Sequence, residues 1–105
     1  MEIEGIKSII RDKSKVFWTE HASNQILNRG LSREAVFACI DNGEIIENYP
    51  SAYPYPACLI LGYSENMPIH VCLGIDGLFV WIITAYEPSL LKFKDDFKTR
   101  REAAK

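Results

Sequence analysis

Disulfides, metal clusters and membrane spans find little to build on in this sequence. The three cysteines, Cys39, Cys58 and Cys72, are an odd number without a C-x-x-C pair or a close His–Cys spacing. Each stands in an apolar pattern, so they read as small core residues in a reducing cytosol, and no disulfide, metal or other cofactor is demanded. The longest apolar run, LFVWIITAY at 78–86, has the length of a strand and falls short of a membrane span. The opening MEIEGIKSIIRD is acidic and amphipathic, with short apolar runs, and reads as neither a signal peptide nor a span. Internal repeats and low-complexity tracts are missing too. Histidines number two, His21 and His70, and no serine or cysteine nucleophile with a partner base is evident.

With 105 residues, of which 48% are hydrophobic, the chain is expected to form one domain over residues 1–105 around a single core. The net charge of −2 is unevenly spread. Residues 92–105 hold six Lys or Arg against three acids, a local +3 on a body of −5. That suits a local phosphate contact or an acidic partner better than a general nucleic-acid coat.

The most organised stretch is TEHASNQILNRGLSREAV, residues 19–36. Thr19 as N-cap and Gly30 as a left-handed stop predict a helix over 20–29. His21, Gln25, Asn28 and Arg29 then share one polar arc, with Ala22, Ile26 and Leu27 as the buried side. Ser32, able to cap the Ala35 amide, starts a second helix that runs to Asn42 and stops at Gly43, with Val36, Phe37, Cys39 and Ile40 as its stripe. Earlier in the chain, Ile3, Ile6, Ile9 and Ile10 recur at helical spacing over 2–11, and Val16–Trp18 reads as an edge strand.

Residues 44–49 read as a strand and YPSAYPYP, at 49–56, as an ordered loop, because three prolines remove three amide donors. Its tyrosines either pack as a lid on the sheet or stack on bases. A meander follows: 57–64, a turn at Glu65-Asn66, 68–76, a turn at Asp76-Gly77, and 78–87. With Ile75 opposite Leu78, His70 lies opposite Ile83. Ile69, Val71, Leu73, Ile75, Leu78, Val80, Ile82 and Thr84 then face the core, while His70, Cys72, Trp81, Ile83 and Glu87 face away. A one-residue bulge would exchange the faces of Thr84 and Tyr86. After Pro88, Ser89 caps an expected last helix with Leu90, Phe93 and Phe97 on one stripe, extended by Arg100 and Arg101. The fold class is α+β, helices on a curved antiparallel sheet of about four strands.

The segments HA at 21–22, RGLSREAV at 29–36, IDNGEIIENYP at 40–50, CLILG at 58–62, PIHV at 68–71 and TAYEP at 84–88 together resemble domain of unknown function family 4258. The resemblance covers about residues 17–101. It implies a fold and activity similar to the RelE and BrnT type toxins, metal-independent endoribonucleases. It also implies RNA as substrate, including ribosome-associated mRNA, and a cognate antitoxin, for this family often one with a zinc-finger segment of the YgiT kind. The face of His70, Trp81 and Ile83, with the tyrosine-proline loop, is the surface such a partner would cover, and a symmetric homodimer through it is the competing partner. Arginine is usual in the family where this chain has Gln25, so one phosphate-binding charge is missing.

Metal-free RNA cleavage needs a base for the 2′-hydroxyl, an acid for the leaving 5′-oxygen, and cations for the phosphorane. The chain's two histidines, His21 and His70, are the candidates for base and acid, and Arg29, Tyr86, Arg100 and Arg101 for the groups around the phosphate, where the resemblance also places Gln25. Each residue also has a plain structural reading. His21 in a first helical turn can be an exposed residue beside Glu20, and His70 a satisfied strand histidine. Arg29 can interact with its own helix carbonyls, Tyr86 can be packing with a wet hydroxyl, and the arginine pair a solvated helix end. Two classes stay open: a toxin-type endoribonuclease in the cytoplasm, or a non-catalytic module of the same fold that binds a protein and in which Gln25 marks lost catalysis.

Overall fold

The computed structural model describes residues 2–101; residues 102–105, which complete the basic count of the chain's end, lie outside the described residues. In chain order come α1 (Ile3–Ile10), a 3-10 turn (Lys13–Lys15), β1 (Val16–Trp18), α2 (Glu20–Asn28) and α3 (Arg33–Asp41). The strands β2 (Glu44–Tyr49), β3 (Ala57–Ser64), β4 (Met67–Asp76) and β5 (Phe79–Tyr86) follow. The class is α+β, with five strands in the order β1-β5-β4-β3-β2. The sheet is mixed, because β1 lies parallel to β5 while every other pair is antiparallel. No described helix is long and apolar enough to cross a membrane.

Capping follows the side chains. Thr19 and Ser32 accept from the amides of Ala22 and Ala35, each at 3.0 Å. At Gly30, whose φ is +68°, the Leu31 amide reaches back to the Ile26 carbonyl at 2.9 Å and closes α2. Gly43 serves differently: its φ is not positive, and the missing side chain lets the end of α3 lie against β3. The helices bury Ile6, Ala22, Ile26, Val36, Cys39 and Ile40 in one cluster with Ile60, Ile69, Val71, Leu73, Val80 and Ile82. Leu27, expected inside, is 79% exposed; only Ala22 and Ile26 of α2 face the core. The thiols are free, and burial pushes Cys39 up to about 11 and Cys58 up to about 12, so neither is a nucleophile.

The meander forms with two corrections. Asp76 pairs with Phe79, which puts Gly77 and Leu78 in the turn and Ile75 opposite Val80. Gly77 supplies the positive φ that a glycine at the first turn position is suited to. A bulge at Ile83 then shifts the register again, so that Cys72 meets Thr84, Val71 meets Ala85, and His70 meets Tyr86 in place of Ile83. The bulge exchanges the faces: Ala85 joins the core, and Thr84 and Tyr86 turn to the side of His70.

The expected last helix is absent. The segment 88–101 makes one turn at Ser89 and then folds back on itself, with Phe93 bridged to Arg100 and the Arg101 amide bonded to the Lys92 carbonyl at 2.8 Å. Asp96 stops helical winding, because its carboxylate takes the amides of Lys98 and Thr99, both at 2.9 Å, and Phe97 adopts a φ of +59°. Phe93, 2% exposed, is buried by this route on the sheet face opposite the helices.

Candidate functional site

Helix α2 is pinned along the last part of β5. The Thr19 hydroxyl donates to the Ile83 carbonyl at 3.1 Å, at the bulge, and one and a half turns on the Thr84 hydroxyl donates to the Gln25 side-chain carbonyl. Arg29, at the helix end, reaches the end of the strand. There a cavity of about 320 Å³ is lined by Arg29, Tyr86, Glu87, Ser89, Lys92 and Phe93. It gathers two cations, a phenol, a carboxylate and a hydroxyl at one opening. Burial raises the Tyr86 pKa above its ordinary value, against the pull of Arg100 and Arg29, so its phenol stays protonated.

His70 takes a structural position. Its ring is fully buried, edge-on to Phe93 at 4.5 Å. Nε2 lies 2.7 Å from the Phe97 carbonyl and Nδ1 3.3 Å from the Tyr86 hydroxyl. A carbonyl only accepts, so Nε2 carries the proton and Nδ1 accepts from Tyr86. Both nitrogens are therefore engaged in the neutral form, and burial lowers the His70 pKa although the Phe97 bond and Glu47 act the other way. His70 orients the Tyr86 phenol and is not itself in the cavity.

A pH dependence follows. The fold disfavours imidazolium, so below about pH 6.5 the unfolded chain binds the proton more readily. The His70 contribution to stability is whole above that pH and declines as pH falls through it toward the lower folded value. Urea unfolding at pH 7.5 and 5.5 is expected to show this loss, and His70→Gln to flatten it. An equal slope in both proteins would assign the effect elsewhere. The carboxylate of Glu47, held below its ordinary range chiefly by its bond to Arg100, weakens only in a more acid window.

The arginine pair holds the 88–101 segment down. Arg100 forms a two-pronged bond to Glu47, at 2.7 and 2.9 Å, and its guanidinium lies 4.9 Å from the Phe93 ring centre. Arg101 donates to the carbonyls of Leu90 and Phe93 at 2.6 and 3.1 Å. Their charges are thus committed within the chain. His21 is exposed, and among the described residues its side chain makes no hydrogen bond or ion pair. It stands eight residues before Arg29, about 12 Å along the helix axis.

Of the sequence-derived set, Arg29 and Tyr86 meet in the cavity, His70 and Gln25 support its walls, and His21, Arg100 and Arg101 lie apart from it. Glu87, Ser89 and Lys92 were missed. Glu87 and Ser89 flank Pro88 in the stretch read as a strand end and a helix cap, and only the fold-back of 88–101 shows that they converge. Among the described residues no group of three His, Cys, Asp or Glu side chains is placed to hold a metal ion.

Comparison with known proteins adds one finding. No curated protein and no solved structure matches the chain. A family model does, over residues 18–87, two-thirds of the sequence and the span from β1 to the Glu87 of the cavity. The chain therefore belongs to the family described as Domain of unknown function (DUF4258).

Proposed function

We propose that the protein is a metal-independent endoribonuclease of the toxin type, weakened by the neutral Gln25, whose cleavage site is the cavity between Arg29 and Lys92. The single observation that carries this reading is the convergence of Arg29, Lys92, Tyr86 and Glu87 on one opening. The Glu87 carboxylate takes the 2′-hydroxyl proton, the 2′-oxygen attacks phosphorus, and the 5′-oxygen leaves with a proton from the Lys92 ammonium. Arg29 offsets the charge of the phosphorane, and Tyr86, whose hydroxyl proton is given to His70 Nδ1, shapes the wall beside it. The product is a 2′,3′-cyclic phosphate and a free 5′-hydroxyl. His21 and the polar arc of α2 steady the next phosphate. In this reading the protein works in the cytoplasm and is held by an antitoxin, one with a YgiT-type segment being the kind the family resemblance suggests.

Expression without an antitoxin tests it. Wild type is expected to cleave RNA slowly, and Gln25→Arg faster, because a cation is added one turn before Arg29 on the same arc. If both leave RNA intact, with and without translating ribosomes, the second reading takes over. That reading, a non-catalytic module for a protein partner, is favoured by Gln25 being bonded to Thr84 and by both His70 nitrogens being engaged.

A further inference from the structure

On the same sheet face, at the other end of β5, lies a second cavity of about 350 Å³, roofed by the tyrosine-proline loop. Its walls include Tyr53, Pro54, Tyr55, Trp81 and Ile83, with Gly74 as the floor. The Tyr55 and Trp81 rings are within 17° of parallel, their centres 6.5 Å apart. Phe17 stacks on Trp81 at 4.7 Å and holds the indole in place. Tyr53 is 95% exposed at the rim. We propose that this cavity is a nucleobase slot, which takes an unpaired base of the RNA strand whose phosphate sits at Arg29; the assignment rests on the ribonuclease reading.

Two observations choose this occupant. The lining carries no charged side chain, so the group that enters is neutral, while the phosphates are drawn to Arg29 and Lys92. The walls are flat and aromatic, the surface on which any base stacks regardless of sequence. The spacing agrees as well. From Trp81 to Tyr86 the strand advances five residues, roughly 16 Å, a span of two to three nucleotides of extended chain. Both cavities open beside the α2–β5 seam, since Thr19 lines the first and Arg29 the second.

Gly74 offers a clean way to fill the slot. A methyl there meets the Pro56 carbonyl oxygen at 3.5 Å and Ile83 Cδ1 at 3.7 Å, ordinary contacts, so Gly74→Ala folds. The test uses a Trp18→Phe background, which leaves Trp81 as the sole indole, and follows its fluorescence on addition of single-stranded rA6 or rU6, of adenosine, and of inorganic phosphate. Adenosine and both hexamers are expected to quench Trp81, and phosphate not to. Tyr55→Ala and Gly74→Ala should weaken hexamer binding on the order of tenfold, while Arg29→Ala weakens hexamer but not adenosine binding. If the hexamers bind through Arg29 with no response of Trp81 or of the slot variants, the slot is wrong and the RNA reading survives. If adenosine quenches but RNA does not bind, the cavity takes a free nucleoside, and both the RNA-strand slot and the ribonuclease reading fail. If neither quenches and an antitoxin protects the slot residues from hydrogen exchange, the surface is a protein interface and the proposal is overturned.

Discussion

Gly62→Ala is expected to destabilise the protein by about 3 kcal/mol or more, enough to lower the thermal midpoint by over roughly 10 °C. A Cβ at this position would stand 1.9 Å from the Cys39 carbonyl oxygen and 2.5 Å from the Cys39 Cα, so backbone meets side chain with nothing flexible to yield. Gly43 faces the same carbonyl at 2.3 Å. The last turn of α3 thus rests directly on β3, and a methyl would prise it off and open the contacts of Val36 and Ile40 with the sheet. Gly30→Ala makes the contrast. Its site is open, with nothing within 4 Å, but its φ is +68°, so only a backbone cost of about 1 kcal/mol is expected. Thermal unfolding followed by far-UV circular dichroism separates the two, and a Gly62→Ala midpoint within a few degrees of Gly30→Ala would refute the close-packing account.

Arg29→Ala should lower RNA cleavage by about 10²–10³-fold while shifting the melting temperature little. Arg29 is exposed and lines the cavity, and among the described residues its side chain makes no ion pair. Removal therefore leaves no buried charge behind, and what is lost, in the proposed mechanism, is the charge facing the phosphorane. Arg29→Lys keeps that charge but loses the planar two-pronged contact, so it should fall between. Glu87→Gln, which removes the proposed base and keeps the shape, should match Arg29→Ala in rate but spare binding of uncleavable 2′-deoxy RNA analogues. Gel analysis of a fluorescent RNA reads the rate. Unchanged cleavage in both variants would move the chemistry away from this cavity.

Local signals carried most of the fold. Thr19, Ser32 and Gly30 mark helix ends by chemistry that needs no distant partner, and Glu65-Asn66 and Gly77 mark turns likewise. What depended on tertiary contact was not legible. The bulge at Ile83 is set where the Thr19 hydroxyl of α2 donates to the Ile83 carbonyl, 64 residues away in sequence, and with the turn at Gly77-Leu78 it decides that His70 faces Tyr86. The stripe of Leu90, Phe93 and Phe97 has helical spacing, yet burying Phe93 on His70 and satisfying Glu47 with Arg100 is worth more than a short exposed helix. The site suffered from the same loss. Arg29 and Tyr86 were within reach of motif reading, whereas Lys92 enters the cavity only because the chain doubles back.

The edges of the sheet bear on how the molecule can associate. β1 offers three residues, and α2 begins at once beyond it. β2, the other edge, is broken by an irregularity between Ile45 and Glu47, and both its acids are paired with the fold-back, Glu44 with Lys98 and Glu47 with Arg100. A short edge and a kinked, charge-clasped one give a neighbouring strand no straight template of free amides and carbonyls. Copies of this chain are thus guarded against strand-by-strand polymerisation, and a partner that docks by adding a strand must first undo the two ion pairs at β2. Raised salt should ease that route, and low salt close it.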